Sequence, residues 1–188
     1  MSAKTEALRN LKSFFEEHGI AYMVIGGLAN AVWGEPRFTY DADLKVALRG
    51  LSIAEFAKLV GERFEFRRDD AIRFAQQTYV LLIQVDEVPA DLSIGVLPYE
   101  IQAIERAREI DIEGVRLPVC TAEDLIIHKA ISEREKDWLD IEGILLRQRD
   151  KLDQKYILGW LKQFAEALER PEILVRYREI QAAEPDLE

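Results

Sequence analysis

Polar and apolar residues follow two different periods along this chain, and the two periods predict two kinds of element. Over residues 5–18 apolar positions recur with helical spacing and Gly19 follows as a stop, which predicts an amphipathic helix. The apolar run 21–25 contains β-branched and aromatic residues and is typical of a buried strand. Residues 41–48 and 89–96 alternate between polar and apolar positions, so we predict two strands that each have one polar face.

The remaining segments mix helices and strands in the first two-thirds of the chain and are helical in the last third. Capping residues, for example Ser52 with Glu55, mark where helices begin. Helices are predicted over 52–63, 69–77, 98–108, 121–131, 135–147 and 153–170, with a last one from Pro171, and strands over 79–85 and 114–120. This order predicts an α+β fold: a small mixed β-sheet with helices on one side, then a C-terminal helical bundle. Residues 1–120 are expected to form the core, and 121–188 a helical region packed on it.

A pair of glycines follows the first predicted strand. Gly26 and Gly27 precede a short apolar segment, 28–33, which is predicted to be a helix that ends at Gly34. A strand–Gly-Gly–helix junction places free backbone N–H groups at a helix N-terminus, and no Cβ keeps a phosphate away from them. By itself a diglycine favours a tight turn that binds nothing.

Three carboxylates lie on the polar faces of the two alternating strands. Asp41 and Asp43 share a face with Lys45, and Asp91 lies on the polar face of the later strand. Two hard oxygen donors at this spacing suit Mg²⁺, although a solvated edge strand is the plain alternative for the pair alone. If the two strands are neighbours, all three carboxylates meet, and two metal ions there would clamp the attacking and leaving oxygens of a phosphoryl displacement.

Together these residues resemble the signature of the polymerase-β-type nucleotidyltransferase superfamily. That signature is an apolar residue, Gly, a second Gly or a Ser, a gap, an Asp-x-Asp pair and an Asp in a later strand. The matching positions here are Ile25, Gly26, Gly27, Asp41, Asp43 and Asp91. Gly27 stands where the related branch often has Ser, which removes one hydroxyl donor to phosphate.

The second half of the chain resembles one branch of that superfamily, the AbiEii/AbiGii toxin-like (MNT-like) branch. In that branch a helical lysine and a Lys-Asp-x-x-Asp segment follow the core. Here the lysine is Lys129 and the segment carries Asp137 and Asp140. The resemblance to the two patterns covers residues 20–146 and implies a nucleotidyltransferase core in the α+β fold.

The resemblance implies a metal-dependent enzyme that moves a nucleoside monophosphate (NMP) from a nucleoside triphosphate (NTP) to an acceptor hydroxyl. Mg²⁺ or Mn²⁺ is the implied cofactor, and Asp91 is the implied general base. The implied metal ligands and catalytic residues are Asp41, Asp43 and Asp91; the triphosphate contacts are Gly26, Gly27 and Lys129; the supporting residues are Arg37, Arg134, Asp137 and Asp140.

The sequence does not specify which molecule accepts the NMP. A macromolecule, either RNA or protein, is expected if the protein acts as a toxin with a cognate antitoxin. The second interpretation is that the acceptor is a small molecule such as an antibiotic. The third is that the protein is a nucleotide-binding module without turnover, and the intact aspartate set argues against it. The base of the NTP is not specified by any residue, and ATP is assumed by default.

Composition narrows the class of partner. The formal net charge of −10 argues against strong nonspecific binding to nucleic acid, because that affinity depends on cationic contacts. Two arginine-rich groups are either local basic patches or solvated surfaces: Arg63, Arg67 and Arg68, and Arg134, Lys136, Arg147, Arg149 and Lys151. The single cysteine, Cys120, permits no internal disulfide and fits a reducing cytoplasm. No apolar stretch is long enough to span a membrane.

Overall fold

A computed structural model describes residues 2–37, 39–132 and 134–183 of the chain. The described residues form two compact units, one of 2–28 with 39–120 and one of 29–37 with 121–132 and 134–183. Residues 184–188 of the predicted helical region lie outside the described residues. None of the helices in the described ranges is long and apolar enough to cross a membrane.

The first unit contains one mixed sheet of seven strands. The strands are β1 (Ala21–Val24), β2 (Ala42–Ala47), β3 (Glu65–Phe66), β4 (Val80–Val85), β5 (Val88–Ile94), β6 (Arg108–Ile112) and β7 (Val115–Val119). Their order across the sheet is β3-β4-β5-β2-β1-β7-β6. Strand β2 runs parallel to β5 and antiparallel to β1, so the two strands predicted to carry carboxylates are direct neighbours.

Helices flank the sheet in the first unit and make up the second. Those described are α1 (Ala3–Glu17), α2 (Gly26–Trp33), α3 (Ile53–Gly61), α4 (Ala71–Thr78), α5 (Pro98–Glu105), α6 (Ala122–Ala130), α7 (Glu135–Gln148), α8 (Gln154–Ala167) and α9 (Glu172–Ala182), with a short 3₁₀ turn at Arg149–Lys151. The predicted capping box of α3 is confirmed: Ser52 accepts from the Glu55 N–H, and the Glu55 side chain accepts from the Ser52 N–H.

One face of the sheet is apolar and is covered by α1. Phe15 of α1 stacks on Tyr22 of β1, with ring centroids 4.5 Å apart, and Tyr22 is the register partner of Val46 on β2. Because side chains alternate along a strand, Asp43 projects from the opposite face to Val46. The buried core of this unit includes Phe14, Phe56, Met23, Leu44, Leu81, Ile83 and Leu92.

The second unit has a core of its own. Its fully or nearly fully buried side chains include Ile126, Ile127, Ile141, Ile144, Ile157, Leu161 and Tyr177. The Tyr177 hydroxyl donates to the Gln154 side chain at 2.8 Å, which satisfies its polar atom within the core.

Several element boundaries differ from the sequence-based prediction. The two glycines do not precede the short helix but form its first turn, since α2 begins at Gly26. The predicted helix 98–108 ends at Glu105, and Arg108 already belongs to strand β6. Strand β3 has only two residues, which is too short to produce a period in the sequence.

Candidate active site

Gly26 brings the start of α2 directly against an aspartate. Its φ of +61° lies in the left-handed region, and a Cβ built at Gly26 would stand 2.0 Å from Asp43 Oδ2. The Ile25 backbone N–H, one residue earlier, donates to the Asp43 carbonyl at 2.9 Å. The chain therefore needs glycine at position 26, because the Asp43 carboxylate occupies the space of a side chain.

We expect Gly26→Ala to displace the Asp43 carboxylate. The added methyl cannot be accommodated without moving Asp43, and alanine is strained at a φ of +61°. Overpacking of this kind typically costs about 1–3 kcal/mol of unfolding free energy. Thermal melts of Gly26→Ala and Gly19→Ala would check this, because Gly19 has the same φ but open space around its Cβ position. Equal losses in both variants would mean that only backbone strain matters at Gly26.

Thr39 fills the space beside the second glycine. A Cβ built at Gly27 would lie 2.6 Å from Thr39 Oγ1 and 2.8 Å from Thr39 Cβ. Thr39 is buried, and its hydroxyl donates to Asp41 Oδ1 at 2.9 Å. A serine side chain at position 27 has no room, and the hydroxyl that it would have provided has a counterpart in Thr39. Thr39 therefore leaves no space for a side chain at position 27.

Asp43 and Asp91 face each other across neighbouring parallel strands. They are direct register partners in the β2–β5 pair, so their side chains project from the same face of the sheet. Asp41 precedes β2 by one residue, and its charge acts on Asp91. The structure thus places Asp43 beside both Gly26 and Asp91, with Asp41 one residue before β2. That all three aspartates form one site stays a prediction.

The pKa of the Asp91 carboxyl lies above its usual range. Burial raises the pKa of Asp91 by more than the neighbouring Arg67 guanidinium lowers it, and the like charge of Asp41 adds to the increase. Arg67 Nη2 donates to Asp91 Oδ1 in a close ion pair. An aspartate with a raised pKa is a stronger proton acceptor than an ordinary one, which suits a general base.

We expect Asp91→Asn to be at least as stable as wild type at pH 7 in metal-free buffer. A raised native-state pKa means that the native protein binds the proton more readily than the unfolded chain. The wild-type free energy of unfolding therefore decreases as pH rises from the usual aspartate pKa, near 4, through the raised value. Asparagine does not ionise, so the variant should not lose stability over this pH range. The difference in unfolding free energy between the variant and wild type should vanish at low pH, where both side chains are neutral. Melting temperatures from pH 3.5 to 7.5 measure it; a strongly destabilised variant at pH 7 would contradict it.

Lys45 lies on the same face but is paired elsewhere. It is buried on β2, two residues after Asp43, and its ammonium forms a close ion pair with Glu100 of α5. Burial raises the pKa of Glu100, but Lys45 and the Val96 and Leu97 N–H groups outweigh it, and the pKa lies below its usual range. The lysine charge is therefore neutralised locally by Glu100.

The carboxylates fit a metal ion that is shared with a substrate rather than enclosed by protein. Within 2–37, 39–132 and 134–183 no three His, Cys, Asp or Glu side chains are grouped so as to bind a metal by themselves. Mg²⁺ usually takes one or two carboxylates and completes its shell with water and substrate phosphates. Asp43 and Asp91, adjacent in register, offer two hard oxygen donors, and the Asp43 carboxylate lies directly against the backbone at Gly26.

In the second unit the predicted phosphate-binding lysine is buried in an ion-pair network. Lys129 Nζ donates to Asp137 Oδ1 at 3.0 Å and to Asp140 Oδ2 at 2.5 Å, and the lysine is only 5% exposed. Arg37 donates to both Asp140 oxygens at 3.2 Å, and Arg134 Nε donates to Asp137 Oδ2 at 2.7 Å. All five predicted residues of this unit thus lie in one network that joins α6 to α7.

The basic and acidic side chains of this network neutralise one another. Burial raises the pKa of Asp137, but hydrogen bonds from Ser132 and Lys129 outweigh it, and the pKa lies below its usual range. Asp137 is fully buried, so removal of its partners would leave an uncompensated charge. The contact of Lys129 with triphosphate stays a prediction.

The first arginine-rich group does not form a basic patch. Arg63 pairs with Glu17 at 2.8 Å, Arg68 pairs with Asp70 at 2.9 Å, and Arg67 pairs with Asp91. Each charge is therefore met by a different carboxylate. Sequence reasoning did not predict that Thr39 would contact Asp41 or that Arg67 would pair with Asp91. The only available signals were the Gly27 departure and the arginine run itself.

Comparison with known proteins identifies the chain as a nucleotidyltransferase by family, and the fold agrees. Residues 4–179 match the family described as nucleotidyl transferase of unknown function (DUF2204), and the chain belongs to that family. No curated protein sequence matches it significantly.

Solved structures that resemble the chain include other nucleotidyltransferases at low identity. An antigenic nucleotidyltransferase-like protein from Paracoccidioides brasiliensis is 15% identical, with a TM-score of 0.51 over 92% of this chain and 89% of that one. The lincosamide antibiotic adenylyltransferase LnuA, lincomycin-bound, is 14% identical, with a TM-score of 0.49 over 74% of this chain and 94% of that one. A putative nucleotidyltransferase from Thermotoga maritima is 16% identical, with a TM-score of 0.42 over 65% and 82%. The first of these confirms the predicted α+β fold, and at such identities the likeness extends to the fold alone.

Proposed function

We propose that this protein transfers an NMP from an NTP to an acceptor hydroxyl, with divalent cations bound by Asp41, Asp43 and Asp91. One observation carries the proposal: Asp43 and Asp91 are register partners on parallel strands, with Gly26 against Asp43. Membership of a nucleotidyl transferase family makes this arrangement a candidate active site rather than a chance pair of carboxylates. The intact aspartate set favours a working enzyme over a binding module without turnover.

The start of α2 is the proposed triphosphate contact. Gly26 and Gly27 form its first turn, where backbone N–H groups have no partner within the helix. Such N–H groups and the helix dipole favour an anion, and neither glycine places a Cβ between the backbone and a phosphate. Mg²⁺ or Mn²⁺ at the carboxylates would neutralise phosphate charge and orient the reacting oxygens.

The reaction we propose is one in-line displacement at the α-phosphorus. The acceptor oxygen forms a bond to the α-phosphorus, the bond from that phosphorus to the bridging oxygen breaks, and pyrophosphate leaves. The hydroxyl proton passes to the Asp91 carboxylate, whose raised pKa suits this role. The remaining residues position the groups and stabilise charge, which supplies most of the catalysis in such transfers.

For the acceptor we favour a macromolecule. The support is the resemblance of Lys129, Asp137 and Asp140 to the toxin-like branch, with a cognate antitoxin as the partner that this branch implies. The net charge of −10 disfavours nonspecific nucleic-acid binding, so an RNA acceptor would have to be recognised specifically. If incubation with a labelled NTP and a cell extract labelled a small molecule and no macromolecule, the choice of acceptor would be wrong, and the proposed nucleotidyl transfer would still stand.

Calorimetry with each NTP tests the metal-bridged site. We expect binding in Mg²⁺ and none in EDTA, because neighbouring carboxylates such as Asp43 and Asp91 repel a polyanion when no metal is bound. Asp43→Asn should weaken binding in Mg²⁺, and Asp69→Asn, which makes the same chemical change at an exposed position, should not. Equal affinity in Mg²⁺ and EDTA would exclude the proposed site.

A further inference from the structure

Arg67 lies in the same cross-strand row as the catalytic carboxylates. Its backbone N–H donates to the Leu82 carbonyl at 3.1 Å, which continues the β3–β4 register by one residue beyond Phe66 and Ile83. Leu82 is the register partner of Asp91, and Asp91 is the register partner of Asp43. Side chains opposite one another in register project from the same face, so the Arg67 guanidinium lies on the face of the carboxylates.

The contact between Arg67 and Asp91 is close but not buried. The Arg67 side chain is 31% exposed and the Asp91 side chain 32% exposed, and Nη2 donates directly to Oδ1. Ion pairs with this much solvent access contribute little to folding. The neighbouring charge of Asp41, however, acts on Asp91, and the guanidinium compensates this repulsion. The contact is therefore better explained by the site than by the fold.

We propose that Arg67 is a positioning residue that holds Asp91 while no divalent cation is bound and that competes with the cation for this carboxylate. The inference rests on the proposed function. A guanidinium at Oδ1 takes up acceptor positions of Asp91 and places a positive charge beside the cation site. A cation must therefore displace Arg67 or bind against its charge. Arg67 thus lowers the affinity of the empty site for metal alone and limits metal loading before the NTP arrives.

The test is the affinity for Mn²⁺ alone, measured by the electron paramagnetic resonance signal of free Mn²⁺ in wild type and in Arg67→Gln. Removal of one charge a few ångströms from a divalent ion should tighten binding by about tenfold. Arg67→Lys keeps the charge and should stay near wild type. Arg68→Gln is the matched control, because it changes the net charge equally at the next residue, whose partner is Asp70.

The variants separate failure of this inference from failure of the proposed function. If Arg67→Gln binds Mn²⁺ about tenfold more tightly, Arg68→Gln does not, and the gain disappears in an Asp91→Asn background, the role of Arg67 is supported. If wild type binds Mn²⁺ in an Asp43-dependent manner but Arg67→Gln binds it no more tightly, the inference is overturned and the proposed function stands. If wild type shows no Asp43-dependent Mn²⁺ binding, the metal site fails and the inference fails with it.

Discussion

Asp43→Asn should lose at least about a thousandfold in nucleotidyl transfer, or about 4 kcal/mol of transition-state stabilisation. Asparagine keeps the size of the side chain but removes the anionic donor that faces Asp91 across the β2–β5 pair. Asp43 is half-buried on the polar face of β2 and is not part of the apolar core, so the fold should survive. The measurements are transfer of label from an NTP and a circular dichroism melt of the same preparation.

Asp69→Asn provides the control for this loss, because Asp69 is exposed and lies outside the site. It should transfer label at the wild-type rate. If folded Asp43→Asn also kept full activity, the carboxylates would not be metal ligands, and the family resemblance would reduce to a shared fold.

The second large effect is on stability and arises at Lys129. Lys129→Ala removes the ammonium that lies between Asp137 and Asp140, and Asp137 has no exposure to solvent. Breaking a buried pair by removal of one partner typically costs about 3–5 kcal/mol, since the other charge remains buried. We therefore expect Lys129→Ala to lower the free energy of unfolding by about this amount in urea titration.

Lys162→Ala is the matched control, because Lys162 is 70% exposed and faces Glu166 one turn away on α8. It should change stability by less than about 0.5 kcal/mol. A Lys129→Ala protein with wild-type stability and a raised KM for the NTP would show instead that Lys129 binds triphosphate directly. This comparison separates the structural role that the network supports from the phosphate contact that the resemblance implies.

The parts of the site that follow a local period could be predicted from the sequence. Alternation placed Asp41, Asp43 and Asp91 on polar strand faces, and the adjacency of the two strands is now confirmed by their register. The strand order itself was not readable, because pairing between β2 and β5 joins residues nearly fifty positions apart. Arg67 follows a strand of two residues, and so short a strand has no period to detect.

The second unit shows why charged positions on helices are harder to interpret. Asp137 and Asp140 have the spacing of ordinary exposed helix charges, yet both are buried because Lys129 and Arg37 meet them. Apolar character is no surer guide, since Leu139 of the same helix is a large apolar residue and yet is 67% exposed. It lies about 100° around the helix from Trp138, and Trp138 defines the buried side. Local period therefore locates elements well but does not fix which side of a helix is covered.

Transfer of label from the α-phosphate tests the central claim most directly. Wild type and Asp43→Asn are incubated with Mg²⁺, a cell extract and each NTP labelled at either the α- or the γ-phosphate. We expect one NTP to label an acceptor from the α-position only, with pyrophosphate released, and we expect this label to be absent with Asp43→Asn or EDTA. Label incorporated from the γ-position, or no incorporation from any NTP by folded wild type, would contradict nucleotidyl transfer as the function of this site.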